Sequence, residues 1–298
     1  MLFKACLIFY LFFASLAYNL FAQEQVAQES DQQINEFSLA SFGEKGKKSW
    51  DLAGKSADIF DDVVKLKSVV GNLYGEKEDI KLTADKGDFD KTEGKVHLED
   101  NVVITTSSGT KLTTESLDWD RKKQLVQTDD FVNIERGNMV TTASGAVGEP
   151  SLKKVNLGKD VTVSINPVTD EKSQESGAKK KIVITCDGPL EIDYGKNIAT
   201  FKNNVKVDTQ DALIESDIMD VYFGGTGKEA SLPEADITSM GSKIDKIIAY
   251  GNVKITRGEN ISYSDKATYA AADRKITLSG RPKLVIYSTE DMSASFGD

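Results

Sequence analysis

The only histidine in the 298 residues is His97, so histidine-dependent catalysis has a single candidate. His97 stands between Val96 and Leu98, and strand alternation would turn it to the opposite, solvent-facing side. Metal sites need several convergent ligands, and no such set stands beside it in the sequence. A Ser-His-Asp triad cannot be built around it either. We therefore expect neither a catalytic nor a metal-binding role for this residue.

Other residue patterns that could bind a ligand lack the required spacing. The acidic runs DIFDD (58–62) and EADIT (234–238) do not have the spacing of an EF-hand calcium loop. GGTG (224–227) lacks the following Lys-Ser or Lys-Thr pair of a phosphate-binding loop. An enzyme acting on envelope glycans would need two carboxylates in a cleft, and acidic residues are too common here to single out a pair. We predict no catalytic residues, no metal and no cofactor.

Composition and the N-terminus limit the class of protein. The net charge of −10 argues against a nucleic-acid partner, which needs a basic face, and the 39% of hydrophobic residues permits a large core. Residues 1–22 form an apolar segment after Lys4, typical of a cleaved signal peptide or of an N-terminal membrane anchor. Both alternatives place residues 23–298 outside the cytoplasm. Beyond the segment only Cys186 remains, so no internal disulfide is expected there.

The strongest pattern is a corner of Asn, Asp or Gly that recurs between two stretches of alternating apolar and polar residues. It is written LEDNVVI (98–104), QTDDFVNI (127–134), LGKDVTV (157–163), FKNNVKV (201–207), AYGNVKI (249–255) and LSGRPKLV (278–285). With Asn101, Asp130, Asp160, Asn204, Asn252 and Arg281 taken as equivalent, the spacings are 29, 30, 44, 48 and 29 residues. Two insertions, at 169–181 and 224–243, explain the long intervals and leave a period of about 30 residues.

This repeat predicts an all-β chain of strand-turn-strand units. Asn, Asp and Gly tolerate the left-handed backbone of a turn, so we expect the chain to reverse at each corner and return as Val-x-Val or Val-x-Ile. One hairpin cannot bury its apolar face alone, whereas stacked units form an elongated sheet with a continuous apolar inner face. Leu112 and Leu117 differ in parity, which predicts a bulge between them.

Strand parity also predicts which side chains form the inner face. They are Trp50, Leu52, Leu82, Val96, Leu98, Val102, Ile104, Leu117, Trp119, Phe201, Val205, Val207, Met219, Val221, Tyr250, Val253 and Ile255. For Trp50 and Trp119, the wall of a ligand slot and ordinary core packing are both compatible with the pattern.

The periodic units resemble the periplasmic lipopolysaccharide-transport proteins LptC and LptA, the OstA-like family. WDLAGKSADIFDDVVKLKSVVGNLYG, with IKLTADKGDFDKTEGKVHLEDNVVITTSSGTKLTTESLDWD after it, resembles an LptC domain. IVITCDGPLEIDYGKNIATFKNNVKVDTQDALIESDIMDVYF resembles LptA. The resemblance covers about 50–168 and 182–288, and it departs from both families by joining them in one chain. Whether the chain stands for LptC, for LptA or for both is left open.

The resemblance implies a twisted, half-open β-jelly roll, V-shaped in section, whose inner-face residues line a trough for the acyl chains of lipid A. It also implies edge-strand pairing with other Lpt proteins, including the inner-membrane ABC exporter and the outer-membrane assembly. The expected function is that of a non-enzymatic periplasmic carrier of lipopolysaccharide. If residues 1–22 are retained as an anchor, the carrier is attached to the inner membrane.

The expected division of the chain is a signal or anchor at 1–22, a flexible lead at 23–35, an LptC-like domain at 36–168, a linker at 169–181, an LptA-like domain at 182–288 and a tail at 289–298. The alternative is a structural β-solenoid or adhesion-type envelope protein with a sealed core and no lipid. Such a protein would usually show more numerous and more regular repeats than these six.

Overall fold

A computed structural model describes residues 31–43, 46–75, 78–166, 181–223, 244–273 and 275–287. The expected signal or anchor at 1–22 and the tail at 289–298 lie outside the described residues, as does the linker at 169–181 apart from Lys181. From Gln32 onward the described residues belong to one compact unit. Strand β1 begins at Gln32 and so includes the last residues of the expected flexible lead.

The predicted all-β fold is confirmed, and no α-helix occurs in the described part of the chain. The strands are β1 Gln32–Phe42, β2 Lys48–Ile59, β3 Val63–Leu73, β4 Ile80–Asp90, β5 Lys95–Thr106, β6 Thr110–Asp120, β7 Leu125–Arg136, β8 Met139–Gly148, β9 Lys154–Ile165, β10 Ile182–Cys186, β11 Leu190–Asp193, β12 Ile198–Asp208, β13 Leu213–Phe223, β14 Ile244–Arg257, β15 Asn260–Ala270, β16 Lys275–Ser279 and β17 Lys283–Val285.

These strands form a single antiparallel meander in which strands that follow one another in the chain are paired, except β10 with β11 and β16 with β17. β9 pairs with both β10 and β11, and these two strands both pair with β12 on their other side. β16 and β17 likewise lie along the same strand, β15. Each of these pairs is therefore one strand interrupted near its middle. Each unit contains two strands and two turns, and its length of about 30 residues confirms the predicted period.

The Asn corner was wrongly predicted to be a turn at which the chain reverses. The stretch 95–106 is one strand, β5, which bends at Asp100 and Asn101 and does not reverse there. Both residues have left-handed φ angles, of 62° and 54°, and the ladder to β6 shifts between Glu99 and Val102. The extra residue bends the strand without ending its ladder, as a β-bulge does.

The same bend occurs in β12 and β14, and side chains connect the bends of neighbouring strands. At each bend an Asn amide donates a hydrogen bond to an Asp carboxylate on the adjacent strand or in the break between β10 and β11. The bonds are Asn101 Nδ2 to Asp85 Oδ2 at 2.7 Å, Asn204 Nδ2 to Asp187 Oδ1 at 3.4 Å and Asn252 Nδ2 to Asp217 Oδ2 at 2.9 Å. Because the bends are aligned, the sheet folds back on itself along one line, here called the corner line.

Folding along the corner line brings two rows of turns towards each other. Lip A consists of the turns at 60–62, 91–94, 121–124, 149–153 and 194–197. Lip B consists of the turns at 107–109, 137–138, 209–212 and 258–259, together with residues 74–75 and 78–79. The apolar core lies between the two halves of the folded sheet and runs as one cluster from Phe37 to Ala267.

The predicted bulge between Leu112 and Leu117 is confirmed. The ladder between β6 and β7 shifts register between Thr113 and Asp118. Both leucines are consequently buried although they differ in parity.

Candidate functional site

The candidate site is the interior between the two halves of the sheet. Leu82 and Val221 are buried there, and Leu52, Val96, Trp119 and Ile255 are half-buried against the same cluster. Nine further predicted inner-face residues are at most 2% exposed: Leu98, Val102, Ile104, Leu117, Phe201, Val205, Val207, Met219 and Val253. The structure therefore brings fifteen of the seventeen predicted inner-face residues together. Their contact with a lipid stays a prediction.

Tyr250 was placed wrongly and lies on the outer face. It pairs with the exposed Ile218, and its ring lies 5.2 Å from the Nζ atom of Lys266. Ala249 is the inward residue, opposite the buried Met219. The inward side chain before each bend stands four residues ahead of the following Val, as Leu98 does before Val102. Tyr250 stands only three residues before Val253 and therefore lies on the other face.

Trp50 lies at the rim of the interior, outside the core cluster. It is half-buried near lip B, and the guanidinium carbon of Arg121 in lip A lies 5.5 Å from its ring centroid. The same carbon lies 5.7 Å from the ring of Phe89. Arg121 thus joins the two lips by cation–π contacts.

A second contact between the lips is an ion pair. Lys153 Nζ of lip A lies 3.3 Å from Glu78 Oε2 of lip B, and the Glu78 side chain is only 6% exposed. The hydroxyl of Ser108, also in lip B, donates a short hydrogen bond to the same carboxylate. These polar contacts hold together the side at which the folded sheet would otherwise be open.

A cavity of about 40 Å³ lies inside, where the two regions named by the resemblance meet. On one side it is lined by β8, β9 and β10, and on the other by residues of β11 to β14 with Tyr194. Its lining is apolar except for Thr141 and the Tyr194 hydroxyl. The sheet is continuous across this junction, because β9 pairs with β10 and β11 along Val161–Ile165 and Lys154–Leu157.

Sequence reasoning missed a charged group inside the roll. Arg136, the last residue of β7, points inward and is 7% exposed. Its guanidinium carbon lies 4.2 Å from the ring centroid of Tyr194 in lip A. Burial raises the pKa of Tyr194, and the neighbouring Arg136 opposes that shift. The signal was present in the sequence, since Arg136 shares the parity of the inward residues Val132 and Ile134.

His97 faces outward, as predicted. Its Nδ1 atom lies 2.6 Å from Asp118 Oδ1, and its Nε2 atom lies 3.2 Å from Glu99 Oε1. The hydrogen bond to Asp118 raises the pKa of His97, with Glu99 adding to the shift and partial burial opposing it. No cluster of three or more His, Cys, Asp or Glu side chains suited to a metal ion occurs among the described residues.

Both edges of the sheet are unpaired in the described part of the chain. β1 pairs only with β2, and it exposes Ile34, Leu39 and Phe42. At the other edge β16 and β17 pair only with β15, and they expose Ile276 and Leu284. Unpaired edges with exposed apolar side chains can accept a further strand.

A folded antiparallel sheet with an apolar interior and two unpaired edges defines the chain as a β-jelly-roll protein. It belongs to the lipopolysaccharide-assembly, LptC-related family, whose sequence profile matches residues 2–166. Residues 188–296 match a second profile, LptA/(LptD N-terminal domain) LPS transport protein. Comparison with curated proteins gave no match. The predicted resemblance is thereby confirmed, with both regions in one chain.

The two families place the chain among the proteins that transport lipopolysaccharide across the periplasm. Members of these families are transport proteins and not enzymes. Within the described residues there is no helix of sufficient length and apolar character to cross a membrane.

Proposed function

We propose that the chain is a non-enzymatic carrier that holds the acyl chains of lipopolysaccharide inside the jelly roll and passes them from an inner-membrane ABC exporter towards the outer membrane. The observation that supports it is the continuous apolar inner face. This face runs without a break from the LptC-related region into the LptA-related region across the ladder of β9 with β10 and β11. One chain would then provide the combined length of two carriers.

Acyl chains can enter only if the lips separate, because the cavity of about 40 Å³ is too small to hold them. Each methylene group moved from water into the interior contributes roughly 0.8 kcal/mol, so several chains offset the loss of a few polar contacts between the lips. Opening would break the contacts of Arg121 with Trp50, of Lys153 with Glu78 and of Arg136 with Tyr194. The lipid-free state is then the closed state of the carrier.

The unpaired edges support a role as a bridge. β1 would pair with a partner on the inner-membrane side, and β16 with β17 would extend the sheet towards the outer membrane. Residues 1–22 would direct the chain to the periplasm, either as a cleaved signal or as an anchor to the inner membrane. The expected division into an LptC-like domain at 36–168 and an LptA-like domain at 182–288 belongs to the same proposal.

One observation favours a second candidate, a structural envelope protein with a sealed core. The interior is packed, and nine of the predicted lining residues are at most 2% exposed. A sealed core would bind no lipid and would not open.

Photo-crosslinking in cells separates the two candidates. A photoreactive phenylalanine analogue replaces Trp119 in the first region and Phe201 in the second, since both side chains are aromatic and face inward. His97 serves as the outward control. We expect lipopolysaccharide adducts at 119 and 201 and none at 97.

Adducts at only one of the two inward positions would assign lipid binding to that region and make the other a docking module. Their absence at both positions, in a protein that folds normally, would favour the sealed structural core and contradict the carrier.

A further inference from the structure

We propose that the interior contains a binding site for one phosphate group of an amphiphile, formed by Arg136 with Thr110 and Thr141. The inference rests on the proposed carrier function and adds to it a fixed position for the charged part of the ligand. It is drawn from the buried polar atoms of this chain.

The three side chains share one inward-facing area near lip B. Thr110 is the direct cross-strand partner of Arg136, and Thr141 lies on the next strand, opposite Ile134. Thr110 is 1% exposed and Thr141 is fully buried. Thr110 and Arg136 are end residues of β6 and β7, and Thr141 is the third residue of β8, so all three lie where the apolar interior meets the lip.

Three polar atoms of this area lack hydrogen-bond partners. Five buried side-chain nitrogen or oxygen atoms of the described residues make no hydrogen bond, and three of them are Arg136 Nε, Thr110 Oγ1 and Thr141 Oγ1. Buried polar atoms in folded proteins are nearly always hydrogen-bonded, so three unpartnered atoms in one area indicate that a polar ligand or water binds there.

The charge of Arg136 favours an anionic ligand over water at this position. None of the ion pairs among the described residues includes Arg136. Its close neighbour is Tyr194, whose ring centroid lies 4.2 Å from the guanidinium carbon and whose hydroxyl is a hydrogen-bond partner of the guanidinium. Buried charges are normally paired, because removing an ion from water without a counter-ion is very unfavourable. Water can accept the hydrogen bonds of these side chains, but only an anion can also neutralise the charge of Arg136.

Phosphate is the anion that suits these donors. A guanidinium binds two phosphate oxygens through parallel N–H groups. The two threonine hydroxyls can donate hydrogen bonds to these oxygens or to a third oxygen of the same phosphate. Thr141 and Tyr194 also line the apolar cavity at the junction. An amphiphile could therefore place its phosphate at Arg136 while its acyl chains extend into the apolar interior.

The test compares lipid A with enzymatically dephosphorylated lipid A on the full chain that carries the photoreactive analogue at Phe201. Adduct yield against lipid concentration gives an apparent affinity for each lipid. We expect the wild type to prefer the phosphorylated lipid by about 10-fold or more, the size of one charge-assisted hydrogen-bond interaction. Arg136→Met should lose this preference and keep its affinity for the dephosphorylated lipid.

Two variants control for charge and for folding. Arg136→Lys keeps the positive charge and should retain part of the preference. Lys111→Met removes an outward-facing cation next to Thr110 on the same strand and should retain all of it. Thermal unfolding without lipid provides an independent readout. Because Arg136→Met removes a buried charge that no carboxylate of the described residues pairs, its melting temperature should not fall below that of the wild type.

Free phosphate is tested as an alternative source of the same group. If inorganic phosphate abolishes the preference of the wild type, the site accepts phosphate from either source; if the preference persists, the site takes the phosphate of the lipid.

Equal binding of both lipids to the wild type would overturn the phosphate site and leave the carrier intact. Binding of neither lipid would contradict the carrier as well. A lower melting temperature of Arg136→Met with an unchanged preference would make Arg136 a structural contact between the lips.

Discussion

At the scale of single residues, the outward face carries a histidine whose protonation is set by its neighbours. Asp118 and Glu99 contact the two ring nitrogens of His97, at 2.6 Å and 3.2 Å. A raised pKa means that the protonated ring is favoured in the folded state. The contribution of His97 to stability is therefore present below the usual value of about 6.5 and is lost as pH rises through the folded pKa.

We expect the pKa of His97, measured by NMR titration of the single imidazole, to lie above 6.5. Asp118→Asn should bring it back towards that value, because the shorter of the two contacts loses its charge. Glu99→Gln should have a smaller effect, and the distant Asp208→Asn should have none. A wild-type pKa at or below the usual value would contradict the geometry.

The face to which each side chain belongs is also a residue-scale property. Ala249 is 2% exposed and faces Met219 and Ala267, whereas Tyr250 faces outward beside Lys266. Ala249→Asp should lower the free energy of unfolding by about 3 kcal/mol or more, because it buries an unpaired charge. Tyr250→Asp should cost about 1 kcal/mol or less, as surface changes usually do. Urea unfolding of both variants measures the difference, and the opposite order would restore the original assignment of Tyr250.

At the scale of elements, the junction between the two family regions depends on a close backbone approach. Gly188 lies in the break between β10 and β11, with φ of 94°. A Cβ atom there would come within 2.1 Å of the carbonyl oxygen of Gly158 in β9. Only glycine fits without moving one strand away from the other.

Gly188→Ala should therefore destabilise the fold by more than the strain of a left-handed residue alone. Gly109→Ala is the matched control, because Gly109 has φ of 80° but open space at its Cβ position. We expect about 1–2 kcal/mol for the control from backbone strain and a larger loss for Gly188→Ala in denaturant unfolding. Hydrogen exchange should locate that loss at the β9–β10–β11 ladder; equal costs for the two variants would show that the junction can yield.

At the scale of the whole folded unit, the contacts between the lips decide whether the interior is open. Lys153 Nζ and Glu78 Oε2 are 3.3 Å apart, close enough for a carbodiimide to join them as an amide. We expect mass spectrometry to find this cross-link and lipid uptake to fall in the cross-linked protein. Lys153→Arg keeps the ion pair but forms no amide, so the treated variant should take up lipid normally. Unchanged uptake by the locked wild type would show that lipid enters elsewhere.

Much of the fold and of the interior was predictable because alternation is a local signal. A side chain at Leu98 or Phe201 faces inward through the geometry of its own strand, and the predicted burial of both was correct. The bulge between Leu112 and Leu117 was predictable for the same reason, since a change of parity is visible within one strand. The family resemblance followed from the order and period of these strands.

The amino-acid sequence by itself determined the all-β class, the period of about 30 residues and the apolar side of most strands, because each depends on residues close together in the chain. Tertiary structure decided that the corner at Asn101 bends one strand and does not end it, and that Tyr250 faces outward. It also decided that Arg136 lies against Tyr194, 58 positions later, inside the roll. A left-handed residue is compatible with a turn and with a bulge, and only the pairing of neighbouring strands selects between them. Contacts across the interior depend on how far the whole sheet folds back, which no local pattern specifies.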